Sequence, residues 1–158
     1  MTTFDARPQA ATCAQAPDWL LPILLEGRRG PCDEVFRFHE LSTFEPVCVA
    51  SARRFVDRTL TSWGSGDIVF DAQLVVSELV TNAMRHGGGA IQLRLLSRRP
   101  EVACVVSDYS RHAPTAPPTT DVFAEYGRGL RLVEALTTAW GWLTPGTQGK
   151  LVWAVLSN

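Results

Sequence analysis

The stretch Glu101 to Asp108, EVACVVSD, is apolar at almost every position. A strand with one wet face alternates apolar and polar residues, so an unbroken run is expected of a central strand buried on both faces. The stretch before it, AIQLRLL, does alternate, as a half-covered neighbour should. SRRPE between them reads as a hairpin turn.

Around this pair the periodicities change. EVFRFHEL alternates from Glu34 and predicts a strand. Cys48, Ala52, Phe55, Val56, Thr59 and Trp63 recur at helical spacing, which predicts a helix from about Pro46 to Trp63 with Gly64 just past its end. A second helix is expected after SGD, with Asp67 as its N-cap. On it Ala72, Val76, Leu79, Val80 and Ala83 share one side, and Asp71, Glu78, Asn82 and Arg85 share the other. It should stop at His86, because Gly87 to Gly89 can close a helix in the left-handed conformation. Residues 109–126, with Pro114, Pro117 and Pro118, have little periodicity and read as a lid. GRGLRLVEALTTAW predicts a glycine-led helix, and GWL and KLVWAVL two last strands joined by TPGTQG.

The order strand, helix, helix, two strands, loop, helix, two strands predicts an α/β two-layer sandwich: a mixed sheet with helices on one face and the other face more open. Residues 33–158 form this domain. Residues 1–32, with prolines at 8, 17, 22 and 31, read as an irregular extension whose apolar run WLLPILL is expected to dock on the domain, the alternative being a partner. That run is too short to cross a bilayer, and no basic region precedes it, so neither a membrane span nor a signal peptide is expected.

Composition narrows the function classes. A length of 158 residues with 46% apolar content suits one domain with a sizeable core. A net charge of −1, with acids and bases mixed, argues against direct nucleic-acid binding. Cys13, Cys32, Cys48 and Cys104 form no CxxC pair, which argues against zinc and for a reducing, cytoplasmic setting. Cys104, in the apolar run, is expected to behave as a small hydrophobe.

Three short pieces carry chemistry. Glu78 and Asn82, one turn apart, pair a carboxylate that can accept a proton with a carboxamide oxygen suited to magnesium; the bland alternative is a wet helix face. Asp108 ends the buried strand, where a carboxylate can accept from an adenine amine; the alternative is a turn-forming aspartate. In YGRGLRLV, Gly127 and Gly129 expose backbone N–H groups where a helix begins, and Arg128 adds a cation, a pattern that suits phosphate; the alternative is a tight turn.

Taken together and in this order, the pieces resemble the GHKL ATPase superfamily shared by histidine kinases and DNA gyrase. ELVTNAMRHG is similar to its N-box, VVSDYS to its first glycine box and GRGLRLVEAL to its second. ARRFVDRTLTSWG, VVSELVTNAMRHG and GRGLRLVEALTTAWGW resemble the branch of bacterial anti-sigma factor serine/threonine kinases. The resemblance implies Glu78 as general base and Asn82 as ligand of the magnesium that bridges the ATP phosphates. It implies Arg85 and His86 at the pocket wall, Asp108 at the adenine amine, and Gly127, Arg128, Gly129 and Leu130 at the phosphate-binding turn and helix start. It further implies ATP and Mg2+ as cofactors, a sigma factor and an anti-anti-sigma factor as partners, and a homodimer as a common state.

The chain departs from that pattern in two places. Ser110 stands where the family usually has glycine, and on the last strand Leu151 is the expected counterpart of a threonine near the aspartate. Two functions therefore stand side by side: an ATP-dependent kinase that also sequesters a sigma factor, and a regulatory binding module that sequesters without phosphotransfer. A glutamate with an ordinary pKa of about 4.3 is already ionised at neutral pH, so Glu78 needs no tuning for either.

Overall fold

The structure, a computed structural model, describes residues 9–10, 16–30, 32–38, 44–112, 114, 125–146 and 149–158. Its elements are β1 (Gln9–Ala10), α1 (Leu20–Glu26), β2 (Cys32–Arg37), α2 (Glu45–Ser62), α3 (Val69–His86), β3 (Ala90–Arg98), β4 (Glu101–Asp108), α4 (Glu125–Leu136), β5 (Ala139–Leu143) and β6 (Lys150–Ser157). One six-stranded sheet runs in the order β1-β5-β6-β4-β3-β2.

The apolar run does occupy the middle of the sheet. Val102, Cys104 and Val106 face the core under α2, α3 and α4, while Ala103 and Val105 face a second core on the opposite side. Burial pushes the Cys104 thiol up to about 12, so it stays an un-ionised core hydrophobe.

Each strand pairing is antiparallel, which corrects the expectation of a mixed sheet. The strand–helix–strand order β4-α4-β5 does send β4 and β5 the same way. However, β6 lies between them, antiparallel to both, so no parallel ladder forms.

The helices α2, α3 and α4 cover one face, and Ala72, Val76, Leu79, Val80 and Ala83 of α3 are all buried there. The opposite face is not left open. Part of the segment read as irregular is helix α1, which lays Leu20 and Leu24 against Leu96, Val105, Trp153 and Val155. Pro22 sits in its first turn, where a missing N–H costs nothing, and Gly27 ends it at φ 66°. Trp19 adds a hydrogen bond from Nε1 to Glu101 Oε1 at 3.2 Å. Among the described residues no helix is long and apolar enough to cross a membrane.

Asp67 is not the cap of α3. The chain enters through a 3-10 turn over Gly66–Ile68 that buries Ile68, and Ile68 takes the N-cap position without a side-chain bond. The other end matches its sequence: α3 stops at His86, followed by Gly88 at φ 74° and Gly89 at φ 120°.

A buried ion pair ties the chain after α1 to the sheet. Arg94 donates from Nε to Asp33 Oδ1 at 2.8 Å and from Nη2 to Oδ2 at 2.5 Å, and the Gly30 N–H donates to Oδ2 at 2.8 Å. Burial alone would raise the Asp33 carboxyl, but these donors and the nearby Arg29 cation outweigh it and hold the group below its ordinary 3.8. A lowered folded value means that the unfolded chain binds the proton more readily. The stabilisation is complete above the ordinary value and fades as pH drops through the lower folded one. Urea titrations across an acid pH series are therefore expected to show a smaller stability gap between the protein and Asp33→Asn at the acid end. A gap independent of pH would remove the ion pair as its source.

Candidate nucleotide-binding site

One pocket opens where α3 meets the ends of β4 and β6. Leu79, Asn82, Ala83 and His86 form its helical wall, Asp108, Lys150 and Val152 its floor, and His112 and Pro114 its rim. Residues 79, 82, 83 and 86 share a face because they follow the three- and four-residue steps of a helix.

Asp108 is held from three directions. Its Oδ1 accepts the Ser110 N–H at 2.9 Å, and its Oδ2 accepts from Lys150 Nζ at 2.8 Å. Gly87 supplies the room: a Cβ there would lie 2.5 Å from Asp108 Cγ and 2.7 Å from its Cβ. Gly87 itself has φ −95°, so it answers a need for close approach rather than for a left-handed backbone. The Tyr109 N–H donates to the Gly87 carbonyl at 3.0 Å and locks the strand end to the helix end. Gly149, at φ 70°, passes against the Asp108 carbonyl and delivers Lys150 opposite it.

Burial pushes the Asp108 carboxyl up, against the opposing pull of the Lys150 ammonium and the Ser110 N–H. Partial burial, together with the Arg85 and Lys150 cations, pushes the His86 imidazole below its ordinary 6.5, which favours its neutral form at pH 7.

Glu78 lies one turn before Asn82, half-buried where α3 packs on α4. Its carboxylate rests against Gly129, where any side chain would overlap Oε2. Burial raises its pKa above the ordinary value and Arg85 partly offsets this, so the environment does tune this group. Neither the Glu78 nor the Asn82 side chain is hydrogen-bonded to another described residue.

The remaining residues singled out by sequence fall as follows. Arg85 does not line the pocket: it makes a two-pronged pair with Glu45 of α2, Nε to Oε2 and Nη2 to Oε1, each 3.0 Å. Gly127 lies within the first turn of α4, which begins at Glu125. The Arg128 side chain lies outside the described residues, as does most of the segment read as a lid. Leu130 is buried in the core, which leaves only its backbone for a ligand.

Two further residues shape the site: Ser110, singled out in the sequence as a departure, and Lys150, which the sequence reading missed. Ser110 stands where a glycine was expected, yet its N–H holds Asp108 and its Oγ accepts the His112 N–H at 3.0 Å, shaping the turn. Lys150, rather than Leu151, is the last-strand residue beside Asp108. Leu151 is opposite Ser107 and packs on the other face of the sheet. The available signal was a lysine at the head of an otherwise apolar strand, as odd in a buried strand as the aspartate ending EVACVVSD.

No curated protein matches the chain. A family model does: that of the histidine kinase-like ATPase domain, over residues 43–156, a span that contains α2 to α4, the pocket, β3 to β5 and all but the last residue of β6. With that match over most of its length, and with helix, strand end and last strand meeting at one pocket, the chain belongs to the histidine kinase-like ATPase domain family.

Proposed function

We propose that the protein is a cytoplasmic ATP-dependent serine/threonine kinase that sequesters a sigma factor and phosphorylates an anti-anti-sigma partner. The observation that carries this reading is the uncommitted Glu78–Asn82 pair, set between the start of α4 and the pocket that holds Asp108. The residues suit MgATP. The Asn82 carboxamide offers a neutral oxygen of the kind magnesium takes, and it has no competing partner among the described residues. Asp108 keeps lone pairs beyond the two bonds that it accepts.

When bound, MgATP supplies the transferable phosphoryl group and the metal charge that stabilises its transfer. Glu78 accepts the proton of the partner's hydroxyl, and its raised pKa makes it a stronger base than an exposed glutamate. Asp108 accepts from the amine of the base. The first turn of α4, with Gly127, turns backbone N–H groups and partial positive charge toward phosphate oxygens.

The test is to capture partners from a native cell extract with and without ATP, identify them by mass spectrometry, and follow label from ATP into them. A catch with neither a sigma factor nor its antagonist would sink the proposal; sedimentation of the same sample reads whether the chain dimerises. A second reading, sequestration without phosphotransfer, draws on the engagement of Asp108 by Lys150. Calorimetry with ATP and magnesium separates the two, since a chain without nucleotide affinity retains only sequestration.

A further inference from the structure

Lys150 is 5% exposed and stands on the floor of the pocket. An ammonium has three donors. One reaches Asp108 Oδ2 at 2.8 Å, and no described residue accepts from the other two. Much of the lining around it is apolar, from Leu79, Ala83 and Val152. A charged donor buried in such a place calls for a further acceptor.

We propose that Lys150 is a second base-reading group, and that its ammonium donates to the adenine ring nitrogen N1 beside the exocyclic amine taken by Asp108. The inference rests on the nucleotide-binding reading above and deepens it. On its pairing edge adenine presents a donor, the N6 amine, next to an acceptor, N1. The pocket presents an acceptor, Asp108, next to a donor, Lys150, so both positions are complementary. Guanine carries the reverse order, a carbonyl followed by an N–H, and would place its carbonyl against the carboxylate. The ion pair thus holds both groups ready, because each fixes the position of the other before a base arrives.

The experiment measures calorimetric affinities of the intact protein, with magnesium, for ATP, GTP and 1-deaza-ATP, in which C–H replaces N1. A hydrogen bond from a charged donor predicts ATP at least about tenfold tighter than the deaza analogue. Lys150→Met is expected to bring that ratio close to one, and Lys150→Gln, which keeps a donor, to preserve part of it. Equal affinity of the unaltered protein for the two nucleotides, an unchanged ratio in Lys150→Met, or tighter binding of GTP would each overturn the role of Lys150. If neither variant folds, the ratio measured on the unaltered protein decides alone. Absence of ATP binding altogether sinks the nucleotide reading itself, whereas ATP binding that is blind to N1 sinks only the inference about Lys150.

Discussion

Glu78→Gln is expected to bind ATP about as well as the unaltered protein while phosphoryl transfer to the partner falls by about 10²- to 10⁴-fold, the usual range for losing a positioned general base. Glutamine keeps the size of the side chain and its packing against Gly129, so the contact between α3 and α4 survives. Only the ability to take a proton is removed. Because the change touches a step that follows binding, kcat should fall with little movement in the KM for ATP. The pH profile supplies an independent readout. Burial raises the Glu78 pKa, so the active ionised form is lost on the acid side at a higher pH than an ordinary value of about 4.3 would give. The acid limb of kcat should vanish in Glu78→Gln along with most of the rate. Equal label transfer by both proteins would remove Glu78 from the chemistry and leave Asn82 and Asp108 as parts of a binding site only.

The parts of the fold that sequence made legible are those written in local periodicity. EVACVVSD lacks alternation because both its faces are covered, and α3 carries its buried stripe at helical spacing over its whole length. Glycines after His86 and after Trp63 mark helix ends with positive φ close by. What stayed hidden depends on partners far along the chain. The run WLLPILL was legible as one that docks on the domain. Nothing near Leu20, however, announces that Leu96 and Trp153 will cover it, so a short helix with proline in its first turn read as irregular. The direction of β5 was legible from the helix before it, but the insertion of β6 between β5 and β4 was not. The same long-range pairing decides the site. Placing Asp108 opposite Lys150 rather than Leu151 is a matter of register across more than forty residues, and a shift by one position swaps the pocket for the back of the sheet. Asp67 shows the reverse error: a good local capping signal gave way once Ile68 had a core to enter.

Asp108→Ala is expected to destabilise the fold by about 3–5 kcal/mol, because it strands the Lys150 ammonium in a buried place without its counter-charge. The loss exceeds what the removed hydrogen bonds are worth, since an ordinary one contributes only about 1 kcal/mol net. The paired change Asp108→Leu with Lys150→Met should cost far less than Asp108→Ala alone, for it removes both charges and refills the space with apolar atoms. Urea denaturation of the unaltered protein and the two variants checks the order. A single variant no worse than the double one would mean that Lys150 escapes to solvent when its partner is gone, and that the pair contributes little to stability. The same set separates structure from recognition. The double variant should regain most of the stability yet fail to prefer ATP over GTP, because neither the acceptor for the base amine nor the donor beside it remains. Stability and base selection then part company within one pair of variants: the two charges cost the core something to bury, and what they return is a pocket floor already arranged for one base.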